Sequence, residues 1–211
     1  FSIIKYEGTG SNMTVGHNLS QAPELVIGKP IEQGDNWRVG SDALTSWVYI
    51  LRLDTNAAEY SYANVWNSLA PTASAINLGI SGAMNDSGYD FIMYAFHSVP
   101  GYSKVGSSYT GNGNDDGTFI YTGFRPAYFL FKKTNAGDSW YVMDDKRNTY
   151  NLVTKTLKPD SSAAEESDAK GDCDFVSNGI KFRINDTGND DAATYLYMAF
   201  AESPFKYANA R

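Results

Sequence analysis

Glu166 and Asp168 begin a Glu-x-Asp-x-x-Glu pattern, which could set a pair of carboxylates across a glycosidic bond. Glycoside hydrolysis needs both carboxylates, one as acid and one as nucleophile or base. The third place of the pattern is Gly171, so it is incomplete. Its neighbours Asp160, Glu165, Asp172 and Asp174 read as a solvated acidic loop. Asn112-x-Asn114-x-Asp116-Gly117 alternates oxygen ligands ahead of a glycine, as the first half of a calcium loop does. The closing glutamate would stand at 123, where the chain has Gly123, so a turn without metal is expected. His17 and His97 are the two histidines and Cys173 the single cysteine, too few for a disulfide framework or a zinc site. No Gly-x-Ser-x-Gly elbow, Walker loop or His-Glu-x-x-His occurs. The expectation is a chain without catalytic residues, metal or cofactor, whose histidines are satisfied or exposed and whose thiol is packed away.

The elements that would position any site are written twice. Tyr6-Glu-Gly8-Thr-Gly10 returns 103 residues on as Tyr109-Thr-Gly111-Asn-Gly113, and Gly34-Asp-Asn-Trp37 returns at the same offset as Gly137-Asp-Ser-Trp140. Pro23 and Lys29 recur as Pro126 and Lys132. Toward the end of each copy the offset becomes 104. Ile76-x-Leu78-x-Ile80 matches Ile180-x-Phe182-x-Ile184, and Ala95-Phe96 with Pro100 matches Ala199-Phe200 with Pro204. A period near 100 exceeds any solenoid repeat, so each copy is a small domain: residues 1–102 and 103–211, divided at Val99-Pro-Gly-Tyr-Ser103.

Strand signals fill both copies. Ala127–Phe131 is a continuous apolar run after a proline, and Leu25–Ile27 is its shorter partner. Ile76–Ile80 and Ile180–Ile184 alternate with period two, while Phe91–Phe96 and Tyr195–Phe200 are aromatic on both faces, as central strands are. Asn85–Gly88, Asn112–Gly117 and Asn185–Gly188 supply turns. Helical signal is confined to Ala57–Asn67 and Ser161–Ala169, each able to form a turn or two. The expected class is all-β: two tandem β-sandwich repeats, jelly-roll or lectin-like, standing apart or fused into one larger sandwich.

Aromatic residues then become the candidates for binding, since a flat ring beside polar turns can stack on a sugar. Trp37 and Trp140 are repeated and are expected in the two cores. Trp47 and Trp66 occur in the first copy alone and are the candidates for glycan stacking at the surface. Four Asn-x-Ser/Thr sequons, at Asn12, Asn18, Asn85 and Asn185, matter only in a secreted eukaryotic protein. The net charge of −7 argues against nucleic acid and against anionic membrane surfaces. No apolar run reaches membrane-spanning length, and no signal-peptide pattern is present. The sequence opens on Phe1 rather than methionine, as a processed product or the C-terminal part of a longer chain would.

Specific wording carries a resemblance over essentially the whole chain. It runs through Thr14-Val-Gly-His-Asn-Leu19, Ala22-Pro23, Ala70-Pro-Thr-Ala-Ser74 and Gly101-Tyr-Ser-Lys104. It continues in Phe119-Ile-Tyr-Thr-Gly-Phe-Arg-Pro126 and, most specifically, Ala199-Phe-Ala-Glu-Ser-Pro-Phe-Lys-Tyr-Ala-Asn-Ala-Arg211. These segments resemble a domain family of unknown function, often in tandem, in the tail and virion proteins of tailed phages, especially marine ones. The resemblance implies a non-enzymatic virion structural protein, part of a tail fibre, tail tip or other appendage. It would be assembled in the bacterial host cytoplasm with other virion proteins, commonly as a homo-oligomer such as a trimer, and would contact host-surface glycans. A carbohydrate-binding domain of a secreted or cell-surface protein is the alternative, with a polysaccharide depolymerase domain a third.

Overall fold

The chain is described here by a computed structural model, over residues 1–167 and 171–203. It divides into two compact units, Phe1–His97 and from Ser98 onward. The division falls ahead of the expected one at 102/103 because Ser98 already belongs to the second unit. Its hydroxyl bonds both the N–H and the C=O of Val105, and Val99 bridges to Ser103 across the turn.

The first unit holds β1 (Ser2–Glu7), β2 (Met13–Gly16), β3 (Leu25–Pro30), β4 (Arg38–Ser41), β5 (Tyr49–Arg52), β6 (Tyr60–Ser61), β7 (Ala75–Leu78) and β8 (Asp90–Phe96). The second holds β9 (Ser103–Thr110), β10 (Phe119–Tyr121), β11 (Pro126–Lys133), β12 (Trp140–Asp144), β13 (Cys173–Val176), β14 (Gly179–Phe182) and β15 (Thr194–Ala201). All pairings are antiparallel. The large sheet of the first unit runs β1-β8-β3-β4-β5-β6, and that of the second runs β9-β15-β11-β12. The first four strands therefore follow one topology in both, with the aromatic strands β8 and β15 in central places. A small sheet faces each large one: β2-β7 in the first unit, β10-β14-β13 in the second. The fold is all-β and of sandwich type, with its two units built to one plan.

Period-two alternation places the cores. In β8, Phe91, Met93 and Ala95 point inward with Ile4 and Tyr6 of β1 and meet Ile76 and Leu78 of β7. In the second unit Tyr109, Phe129, Phe131, Tyr195 and Phe182 make an aromatic core, with the Tyr109 and Tyr195 rings stacked at 4.7 Å. Burial of this kind raises the pKa of the Tyr6 and Tyr109 phenols. Each phenol donates to a main-chain carbonyl, Tyr6 to Met84 at 2.6 Å and Tyr109 to Gly188 at 2.9 Å.

A buried asparagine locks the same corner in each unit. Asn85 donates to Ser11 and Gly79 carbonyls, both at 2.7 Å, and accepts from Thr9 N–H at 2.8 Å. Asn189, its counterpart, donates to Asn112 Oδ1, to Asn114 O and to Ile184 O, and accepts from the N–H groups of Asn112 and Thr118. The repeated glycines exist for this corner. A Cβ on Gly8 would collide with the carbonyl of Asp86, and one on Gly111 with that of Asp190.

Neither expected helix forms among the described residues. Residues 57–67 hold β6 and tight turns, because Glu59 is drawn to Thr45 and Trp66 is pulled into the core. Glu165 pairs with Arg147 and Lys155 in an extended segment. The one described helix is the single turn α1 (Gly82–Asn85). No described helix is long and apolar enough to cross a membrane. Asp168 and Ala169, and the closing residues 204–211 that carry the most specific part of the resemblance, lie outside the described residues.

Candidate functional site

Trp47 and Trp66 do not reach the surface. Trp66 is 0% and Trp47 6% exposed, and their rings meet edge to face at 5.8 Å and 85° inside the first core. A buried ring cannot stack on a sugar, so the expected glycan role of these two is corrected. Their task is packing: a Cβ on Gly40 would come within 2.5 Å of the Trp66 indole nitrogen and 2.6 Å of Trp47. Gly40 pairs with Val26 in β3, and at the matching place in the second unit Met143 pairs with Phe129. One large side chain on the strand thus does in the second unit what two tryptophans from outside it do in the first. The indole N–H of Trp47 is spent on Asp42 at 2.8 Å.

Trp37 and Trp140 divide. Trp140 is buried, as its repetition suggested, whereas Trp37 is half-exposed. Trp37 is not an open platform, because the Lys29 amine sits 5.4 Å over its ring and Tyr94 packs beside it at 6.0 Å.

The residues considered for catalysis or metal are occupied. Both ring nitrogens of the buried His17 are engaged, with Thr72 O and Leu19 N at 3.1 Å each. Asn112 is tied to Asn189, Asn114 and Asp116 O, and the Asp116 carboxylate pairs with Lys181 at 2.7 Å. Among the described residues no group of three or more His, Cys, Asp or Glu is placed to hold a metal ion. Glu166 pairs with Lys158 at 2.6 Å, and Asp168 of the same motif lies outside the described residues. The sequon residue Asn85 is the buried corner lock described above, so it is not a surface acceptor.

An open aromatic pair lies on the small sheet of the second unit. Phe119 is 45% and Tyr121 66% exposed, on either side of the buried Ile120. Pairing of Ile120 with Ile180 sends Ile120 into the core, and alternation turns its neighbours outward. Lys181 stands opposite Phe119, and Gly179 opposite Tyr121. Gly179 is bare because a Cβ there would collide with the Ile120 carbonyl at 2.2 Å, and it would also meet Phe119 ring carbons at 2.9 Å. Polar groups flank the pair. Asp116 is exposed beside Lys181, whose hydrogen bond lowers the carboxyl pKa, and Lys181 also donates to Gly117 O. Farther along the face Arg183 pairs with Asp174 at 2.7 Å, and the exposed Asn178 borders Tyr121, its carbonyl held by Thr122 and Gly123 N–H.

The first unit lacks this surface. Val15 pairs with Ile76 as Ile120 pairs with Ile180, which places Thr14 and Gly16 where Phe119 and Tyr121 stand. Sequence reading passed over the pair because Phe119-Ile-Tyr121 is too short to show its period. Aligning Ile120 with Val15, rather than counting from the glycine turn, would have exposed it.

A large sheet, a facing small sheet and a corner asparagine, each present twice, define a tandem all-β module whose second small sheet carries an aromatic pair that the first lacks. The chain belongs to a family described as a domain of unknown function, DUF7483, whose model matches residues 1–204. A single family model thus spans both copies. No curated protein and no solved structure matches the chain.

Proposed function

We propose that this is a non-enzymatic structural and adhesion module of a phage virion, part of a tail fibre, tail tip or similar appendage, which contacts host-surface glycans. Its partners in this reading are other virion proteins and further copies of itself, and its location is the extracellular particle. The observation that supports recognition is the open Phe119–Tyr121 pair, present in one copy of a duplicated fold and absent from the other. Both copies must fold, but only one need bind, so an exposed aromatic pair restricted to one copy is not a requirement of the fold. A carbohydrate-binding domain of a secreted or cell-surface protein would use the same face and differs in source rather than chemistry.

The test is a glycan array and host-cell binding assay on the purified chain, with Phe119→Ala and Tyr121→Ala alongside. Binding that these changes abolish while the melting temperature holds is the expected result. A folded protein that binds no glycan and no host cell would leave an architectural role alone.

A further inference from the structure

We infer that the Phe119–Tyr121 face takes an uncharged saccharide rather than an acidic one or a protein; this rests on the glycan-binding reading above. Size argues against a protein. An aromatic side chain offers roughly 150–250 Å², so rings exposed to the extent of Phe119 and Tyr121 present about 200 Å² together. A stable protein interface needs about 800 Å² from each partner, several times more. A sugar ring or two fits such an area.

Charge argues against an acidic sugar. The cations on this face are already committed: Lys181 to Asp116 and the Gly117 carbonyl, Arg183 to Asp174. An incoming carboxylate or sulfate would have to share Lys181 with Asp116 and Arg183 with Asp174, and it would meet the additional acid Asp115 in the adjoining turn. What is available is suited to hydroxyls. The C–H face of a pyranose rests on the rings, and its rim hydroxyls meet the exposed Asp116 carboxylate at the Phe119 end and Asn178 at the Tyr121 end. Carboxylate and amide groups accept from and donate to hydroxyls without needing a net charge on the ligand. Apolar stacking also leaves the interaction nearly indifferent to salt, since screening acts on charge pairs.

The experiment sorts glycan-array hits by charge, then measures affinity for the best neutral and best acidic oligosaccharide by calorimetry at low and high salt. Wild type, Tyr121→Ala, Tyr121→Phe and Phe119→Ala are compared, each with its melting temperature. Expected are neutral ligands, an affinity that changes less than about twofold with salt, a loss of about tenfold or more in Tyr121→Ala and near-retention in Tyr121→Phe. Acidic glycans bound through the same residues, with affinity falling as salt rises, overturn the inference and leave the glycan reading standing. Neutral glycans whose binding survives both alanine changes remove the site from this face. Change of oligomeric state in Tyr121→Ala makes the face a protein contact and also overturns the inference. Absence of any glycan binding by the folded chain overturns both.

Discussion

Replacing Asn189 tests whether the corner lock, rather than sheet pairing alone, holds the second unit closed. Asn189→Ala removes the contacts of its two N–H groups with three oxygens, one hydrogen being shared, and two accepted hydrogen bonds. Four main-chain groups lose that partner: the N–H of Asn112 and of Thr118, and the C=O of Asn114 and of Ile184. Each costs about 1–3 kcal/mol if it stays dry. Asn112 and Asn114 are exposed and regain water, so the total should be about 3–5 kcal/mol. For a domain of roughly 100 residues that lowers the melting point by about 15–30 °C. Asn189→Asp is the sharper variant, because it keeps the volume and both accepted bonds. It turns a carboxylate oxygen toward three oxygens, those of Asn112 Oδ1, Asn114 and Ile184, and should destabilise at neutral pH at least as much as alanine. The introduced carboxyl has a folded pKa raised above its unfolded value, so its penalty is full at high pH and shrinks as pH falls through the folded pKa. The assay is urea unfolding by far-ultraviolet circular dichroism from pH 7 down to about 4. An Asn189→Asp protein as stable as wild type at pH 7, or milder than Asn189→Ala, would refute the account of the corner.

Three further outcomes follow from packing and burial. Gly40→Met, which copies the second unit's Met143 into the first, should destabilise by more than the roughly 1–3 kcal/mol typical of overpacking. Urea unfolding checks this, and Met143→Gly should cost comparably through the opposite defect, a cavity. Trp66→Ala should cost about 3–5 kcal/mol yet leave glycan affinity of the folded protein unchanged in calorimetry. Lys132 is buried and its pKa is lowered by desolvation to about 8. Its penalty is therefore full below pH 8 and relieved as pH rises toward 10. Lys132→Met should abolish that rise and add up to roughly 3 kcal/mol at pH 7, less the loss of the amine's bond to Lys133 O.

The duplication, the all-β class and the central strands were legible because repeated residues and period-two runs survive without a partner to compare against. Burial of Trp140 followed from repetition, although it lies on the face of β12 opposite to that of Tyr141 and Met143. The same argument misplaced Trp37, which is half-exposed under the Lys29 amine. Trp47 and Trp66 were misread because being unmatched says only that the copies differ, and here they differ in how a core void is filled. That void is created by Gly40, a residue whose effect appears only when strands are paired. The two short helical signals gave way for a similar reason: the alanines and glutamates favour a helix locally, and salt bridges and a buried tryptophan outweigh about half a kcal/mol per residue of propensity. Phe119 and Tyr121 were hidden by brevity, since three residues cannot display a period.

The exchange of Gly40 with its two tryptophans for Met143 has a consequence for how such a chain emerges and folds. Neighbouring copies of one fold on one polypeptide can trade equivalent strands and trap a misassembled product. Here β4 offered to the second unit would bring a glycine where a methionine is needed, leaving a hole beside Phe129. In the other direction, β12 offered to the first would drive a methionine into the paired indoles. Either trade would therefore cost packing that the native pairing keeps, a void in one unit and a clash in the other.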